Sequence, residues 1–190
     1  MSVHPSAFVH ETAIIEPGGV VGSGSQVWHH CHVRSGARIG TNTRIGKNVY
    51  VDNGGVVGDG CKIQNNVSVY RGVTLSNNVL VGPSAVFTND VRPRADSETW
   101  ELAPTFVEEG ATIGANATIV AGITIGAWAM VGAGAVVVHS VSPHELVAGN
   151  PARRIGWVCA CGQSLQRGGV PLKVEECGSC GRSTQPGLKN

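Results

Sequence analysis

The chain has almost no net charge and no concentration of charge. Its 190 residues carry 14 Lys and Arg against 13 Asp and Glu, a formal charge of +1, and no five like charges stand together. A general nucleic-acid or membrane-surface role needs a concentrated basic face, so both are excluded as expected partners. No apolar run approaches the roughly 20 residues of a bilayer span. The N-terminus, MSVHPSAFVHE, lacks a charged segment followed by an apolar one, which marks no export and makes the cytoplasm the expected location. Neither a P-loop nor a dinucleotide-binding glycine fingerprint occurs. Aromatic residues are scarce, at 5%.

What the chain has instead is a period of six. Val3, Val9, Ile15, Val21, Val27, Val33, Ile39, Ile45, Val51, Val57, Ile63, Val69, Leu75, Val81 and Phe87 stand at every sixth position. The series breaks at Pro93 and Thr99 and resumes in a shifted phase at Val107, Ile113, Ile119, Ile125, Val131 and Val137. Neither the 3.6 period of a helix nor the 2.0 of a single strand selects such positions. A solenoid does, because its short strands stack on their equivalents one turn away at about 4.8 Å. Four residues after each station comes a second, usually small residue, among them Cys31, Ala37, Thr43, Cys61, Ala85, Ala111 and Ala117, with Ile123 a larger one. Two large inward side chains per hexad would overpack a narrow interior, so Cys31 and Cys61 read as core. Glycine often follows the station directly (Gly22, Gly40, Gly46, Gly58, Gly82, Gly114, Gly126, Gly132), which suggests a corner using positive φ.

Hexads of the form Leu/Ile/Val-Gly-x4 resemble the left-handed parallel β-helix of the hexapeptide-repeat acyltransferases. The resemblance runs from residue 3 to about 156 and implies an all-β fold of about seven triangular coils, with residues 1–157 as the transferase domain. Within it, WHHCHV (28–33), KNVYV (47–51), KIQNNVSVYRGV (62–73), GPSAVFTN (82–89), GATIGANATIVAGITIG (110–126), VGAGAVV (131–137) and GNPARRIGW (149–157) are similar to bacterial N-acetyltransferases acting on UDP-linked 3-amino sugars. The type enzyme of that group acetylates UDP-2-acetamido-3-amino-2,3-dideoxy-glucuronate on the way to surface-polysaccharide sugars. The resemblance implies a homotrimer with acetyl-CoA and the nucleotide sugar in the cleft between two β-helices. Where members read Asn-Pro-Arg after the Phe-Thr-Asn motif, this chain has Arg92-Pro93-Arg94, and its loop lacks their basic, Tyr-containing run. The substitution pattern of the sugar is therefore open.

The interruption, residues 88–106, is rich in charge and proline and reads as a loop extruded from one corner. Long loops in compact domains tend to be functional. Trp100 within it suggests packing on something, such as a neighbouring subunit. After Trp157 the composition changes. Cys159 and Cys161, then Cys177 and Cys180, form two knuckles separated by fifteen residues, each followed by glycine. Residues 158–190 are expected to be a zinc-ribbon-like tail with these four cysteines around a structural Zn²⁺, though the first knuckle is CxC rather than CxxC. A disordered tail with free thiols is the alternative.

Acetyl transfer to an amine needs an unprotonated nucleophile, alignment with the thioester carbon, and stabilisation of the developing oxyanion. Asn89, at the edge of the loop, is the first candidate to orient the amine, with His29 and His32 as candidate bases. Asn65, Asn66, Tyr70 and Arg94 are candidates for the sugar nucleotide. Gly114, Ala115, Gly132 and Ala133 would admit a pantetheine arm close to the backbone, and Arg153 and Arg154 suit CoA phosphates. Each has a plainer reading as a corner or end-cap residue. Two other functions compete with an N-acetyltransferase. An O-acetyltransferase of a sugar or serine needs a stronger base, and no His lies between residues 88 and 106. A non-catalytic scaffold would recruit partners through its Cys-rich tail.

Overall fold

In the computed structural model, residues 2–97, 100–167 and 175–184 are described. Each hexad supplies one strand of two or three residues, and strands 18 positions apart pair in parallel, as in Val20↔Arg38↔Val56. Three hexads therefore make one coil with three flat faces. The first face runs from Ser2–Val3 to Thr124–Ile125, the second from Phe8–Val9 to Met130–Val131, and the third from Ile14–Ile15 to Val136–Val137. Each face has seven such strands, so the solenoid has seven full coils, and Glu145–Ala148 adds part of an eighth on the second face.

The alternation of a large station and a small companion fills the interior as expected. From Val21 to Val137 every station is buried, as are Cys31, Ala37, Val49, Cys61, Ala85, Ala111 and Ala117. Burial of each Val or Ile removes enough apolar surface to contribute about 1.5–3 kcal/mol. At the open N-terminal end, Val3, Val9 and Ile15 are only half-buried because no coil lies beneath them. Buried polar companions are satisfied across coils: the Ser25 hydroxyl donates to Gly40 O at 2.7 Å, Thr43 to Gly58 O at 2.8 Å, and the Cys31 thiol to Gly46 O at 2.8 Å.

The glycines that follow the stations do a different job from the one expected. Positive φ falls two residues later, at Asn42, Asn48, Asn66, Asn78, Asn116 and several glycines such as Gly36 and Gly134. The station-following glycines have ordinary φ but lie against the next coil. A Cβ on Gly82 would stand 2.5 Å from the Ala115 amide nitrogen, and one on Gly114 2.5 Å from that of Ala133. Close stacking of coils, not backbone handedness, demands glycine there.

The interruption is an excursion from the corner between the third and first faces. Leu75 pairs with Val107, 32 positions on instead of 18, so 14 residues are inserted. Its base is pinched by a bridge between Asp90 and Leu102 and by the Ala103 N–H donating to Asn89 O at 3.2 Å. Trp100 remains half-exposed, with the Arg71 guanidinium 5.7 Å above its ring. At the far end, Arg153–Val158 turns back antiparallel on Glu145–Ala148, and Ser164–Arg167 pairs antiparallel with it in turn. The strand Arg153–Val158 thus crosses the expected boundary at 157. Among the described residues, no helix is long and apolar enough to cross a membrane.

Candidate active site

Stacking at a spacing of 18 sorts the candidate residues onto two edges. Along the ridge between the second and third faces, corner amides bond coil to coil: Asn48 N–H to His29 O, Asn66 to Lys47 O, Ser84 to Asn65 O, Asn116 to Pro83 O and Gly134 to Ala115 O. His29, Asn65 and Asn66 therefore lie in one line with Gly114, Ala115, Gly132 and Ala133. The line ends near the arginines, for a Cβ on Gly132 would meet Ala148 at 3.0 Å, and Ala148 pairs with Arg153. Arg153 is exposed; its neighbour Arg154 lies with its guanidinium 5.2 Å above the Trp157 ring.

The N-terminal half of this ridge borders a groove of about 530 Å³ lined by Trp28, His29, Arg44, Lys47, Lys62 and Asn65 among others. No carboxylate lines it, and among the described residues Arg44, Lys47 and Lys62 have no ion-pair partner. The three cations were not singled out in the sequence. The signal was there, since Arg44 and Lys62 precede stations 18 apart and so share a face. The Phe8 ring packs 5.2 Å from Trp28, and the His10 and His29 rings stack at 3.6 Å. Desolvation under these neighbours, then the charges of His10, His30 and Lys47, hold the His29 imidazole below its ordinary pKa. Near neutral pH it is uncharged and can accept a proton.

Asn65 and Asn66 have structural roles that limit their part in binding. The Asn65 Oδ1 accepts the Lys47 N–H at 2.8 Å, leaving its amide NH₂ to offer. Asn66 has φ of 61° and accepts from the Asn48 side chain at 3.1 Å, so asparagine is favoured there by the turn itself.

The second group occupies the third face and the corner that throws out the loop. His32 Nε2 lies 2.8 Å from Glu16 Oε1. An ionised carboxylate only accepts, so Nε2 carries the hydrogen and the neutral ring keeps its lone pair on Nδ1. Glu16 is held ionised by the Ser35 N–H on its Oε2 at 2.8 Å and by His32 and Arg34, which together put its pKa below the usual carboxylate value. Next on the same face come Tyr50, its ring 5.6 Å from His32, and Tyr70, 6.1 Å further on. The Tyr50 hydroxyl donates to Asp52 at 2.9 Å, and Arg34 pairs with Asp52 at 3.2 Å. Burial opposes ionisation of Asp52, but the bonds from Tyr50 and from the Asn53 and Arg71 amides outweigh it, so its pKa is lowered. Asn89 stands at this corner, its side-chain NH₂ donating to Arg71 O at 3.3 Å. Arg94 is exposed in the loop and folds back on Pro93 O at 2.7 Å.

Asn89, His32 and Tyr70 thus lie along one side of the solenoid, with Asn89 three coils from His32, while His29, Asn65, Asn66 and the small residues lie along another. Glu16, Tyr50 and Asp52 escaped sequence reading because nothing local marks them; they meet His32 only through stacking.

The family model for the bacterial transferase hexapeptide (six repeats) matches residues 104–139, and that for the hexapeptide repeat of succinyl-transferase matches residues 36–71. A 44-residue stretch is 43% identical to an acyl-(acyl-carrier-protein)–UDP-N-acetylglucosamine O-acyltransferase of Brucella ovis, over 23% of this chain and 16% of that protein. This match therefore spans about a sixth of the relative's length. Among solved structures, a hexapeptide-repeat-containing acetyltransferase of Vibrio cholerae O1 biovar eltor, complexed with acetyl coenzyme A, is 29% identical, with a TM-score of 0.56, covering 64% of this chain and 70% of that one. The fold is shared with a UDP-N-acetylglucosamine acyltransferase of Campylobacter jejuni, 15% identical, with a TM-score of 0.53 over 82% of this chain and 75% of the other. Both repeat matches fall within the stacked coils and mark residues 36–71 and 104–139 as hexapeptide-repeat segments similar to those of bacterial transferases.

Proposed function

We propose that the chain is an acetyl-CoA-dependent N-acetyltransferase acting on the amino group of a UDP-linked (3-)amino sugar destined for surface polysaccharide, working in the cytoplasm as a homotrimer with its sites between subunits. One observation carries the reading. A groove whose three cations have no ion-pair partner among the described residues, with an exposed Trp28, runs into a ridge of Gly and Ala backbone. The cations suit a diphosphate and the indole a base ring, whereas the small residues suit a pantetheine arm, with Arg153 and Arg154 at its phosphate end. The 29% identity to an acetyltransferase solved with acetyl coenzyme A supports the donor.

In this reading the sugar's amine attacks the thioester carbon. A nitrogen–carbon bond forms, the carbon–sulfur bond breaks, and CoA leaves as the thiolate while the amine's proton passes to a base. His32 is the base best arranged for this, since Glu16 fixes its tautomer and stabilises the imidazolium. Asn89 lies three coils from His32, about 14 Å at roughly 4.8 Å per coil. With Tyr70 it would therefore hold the nucleotide sugar rather than orient the amine, and Arg94 reaches the sugar from the loop. Because the two edges lie on different corners of one solenoid, the third face of one subunit would complete the ridge of its neighbour.

The dyad of His32 and Glu16 also favours a second reading, since such a pair can deprotonate a hydroxyl, and the Brucella relative is by name an O-acyltransferase. Free thiol release from acetyl-CoA, with mass analysis of the product, separates the two. Acetylation of a UDP-3-amino sugar but not of its 3-hydroxy counterpart supports the proposal; hydroxyl acceptors alone would sink it.

A further inference from the structure

The tail beyond Trp157 has an interior made of sulfur. Its described part consists of the strand Ser164–Arg167 and a hairpin of two two-residue strands, Glu175–Glu176 and Ser183–Thr184. Among its described residues, the buried side chains besides Trp157 and Val158 are Cys159, Cys177 and Thr184. So little apolar surface does not hold a segment of this size together.

The four thiols supply what the apolar groups do not. Cys159 Sγ lies 3.6 Å from Cys180 Sγ, and Cys161 Sγ 3.7 Å from Cys177 Sγ; all four lie within 4.8 Å of one another. A disulfide brings its sulfurs to about 2.05 Å, so neither pair is bonded. Four thiolates about 2.3 Å from a tetrahedral zinc stand roughly 3.8 Å apart, close to the separations of these two pairs, and the other separations stay within 4.8 Å. The two knuckles are folded for the purpose: Gly162 and Gly181 have φ of 88° and 70°, and their amides close turns on Cys159 O and Cys177 O at 2.8 Å. The Thr184 hydroxyl adds an outer contact to Cys159 Sγ at 3.7 Å.

The structure assigns to Cys159, Cys161, Cys177 and Cys180 a closed tetrathiolate site for one Zn²⁺, which clamps the tail as a cap on the last coil of the solenoid. Cys159 follows directly on Arg153–Val158, a strand of the second-face sheet, whereas Cys177 and Cys180 belong to the hairpin. The ion therefore joins the hairpin to the sheet across the fifteen residues between the knuckles. The cap is tied down at two further points. His144 Nδ1 bonds to Val158 O at 3.0 Å, and Ser164–Arg167 pairs antiparallel with Arg153–Val158, with Gly162 lying over Met130. Met130–Val131 leads into Gly132 and Ala133, so the cap closes the end of the ridge without lining it. All four tetrahedral positions are taken by protein sulfur, which leaves none for water or substrate and makes the ion structural. The thiols release their protons to solvent as they bind. The zinc site is independent of the acetyl-transfer reading.

The full chain, purified under reductant and without a metal-affinity tag, is the material for the test. Native mass spectrometry and elemental analysis are expected to show one zinc per chain. A mercurial should release it into a colorimetric chelator as the four thiols react. The exposed ligands, in Cys161→Ser and Cys180→Ser, should each lower bound zinc at least tenfold at limiting metal, with the solenoid's circular dichroism retained. Cys61→Ala, in the core, should bind as the parent does. Cobalt(II) in place of zinc should give the thiolate charge-transfer and d–d bands of a tetrahedral sulfur site. Less than a tenth of an equivalent of zinc after reconstitution, two disulfides by mass, or unchanged zinc in both Ser variants would overturn the assignment.

Discussion

Charge is handled in opposite ways along two edges of the same solenoid. Along the second face and the ridge beside it, Arg44, Lys62 and Lys47 face solvent with no carboxylate in ion-pair reach among the described residues. On the third face and its loop corner, Glu16, His32, Arg34 and Asp52 are joined in pairs, and Arg71 lies over Trp100. The repeat is the same, so the difference is not imposed by the scaffold. Unpaired cations repel one another and are retained at a cost that a bound anion would remove. Paired groups are already oriented, and preorganisation is what a reacting centre needs. The ridge reads as the place that binds and the third face as the place that reacts.

The sharpest way to break that division is at His32. His32→Ala is expected to lower kcat by about 10²–10⁴ with little change in either KM, and Glu16→Gln by less, because a neutral partner still orients the ring. A loss of under threefold in steady-state thiol-release assays would move the chemistry elsewhere, with His29 the next candidate. Its imidazole is held below the ordinary value, so an acid limb falling below about pH 6.5 would point to it.

A second test bears on the small-residue half of the ridge. Gly114→Ala puts a Cβ 2.5 Å from the Ala133 amide nitrogen, so two coils must part. Overpacking of this kind costs roughly 1–3 kcal/mol. A lower midpoint in thermal or urea unfolding is expected, together with a raised KM for acetyl-CoA. A variant as stable as the parent would mean the coils are not packed as tightly as described.

Smaller effects are expected from the cations one at a time. Lys62→Ala or Arg44→Ala should raise KM for the UDP-sugar about tenfold, or about 1.4 kcal/mol, and leave kcat unchanged. The dependence of KM on salt should weaken in step. If kcat falls instead, the two edges are not divided as described.

The smallest effect is expected at Asp52, whose carboxyl pKa is lowered by its partners. A depressed folded-state value contributes stability above the unfolded value of about 3.9, and this is lost as pH falls through the folded one. Asp52→Asn should therefore cost about 1 kcal/mol at neutral pH. The gap in unfolding midpoint should close below about pH 4. A gap constant with pH would assign the effect to packing.

Much of this fold was legible in the chain. The six-residue stations alone placed the core from Val21 to Val137, the small companions, and the break after Phe87, because side-chain volume in a narrow coil allows little else. The glycines show where a local argument stops. Gly82 and Gly114 looked like turn residues, but their constraint comes from the backbone of a hexad some 18 or more positions away. The candidate site divides along the same line. His32 and Asn89 stood out by residue type and place. Glu16, 16 positions from its partner His32, did not, since pairing across coils leaves no mark in a short window. The four cysteines were readable as a set, but their convergence to 3.6–3.7 Å was not.

The sequence by itself determined the repeat, the faces it makes and the residues that fill it, because a strict period leaves each side chain one direction to point. Only the tertiary structure decided which outward residues share an edge. That depends on how many residues each coil consumes, and the 14-residue excursion changes that number once. Stacking, rather than adjacency, is what joined Arg44 to Lys62 and His32 to Glu16.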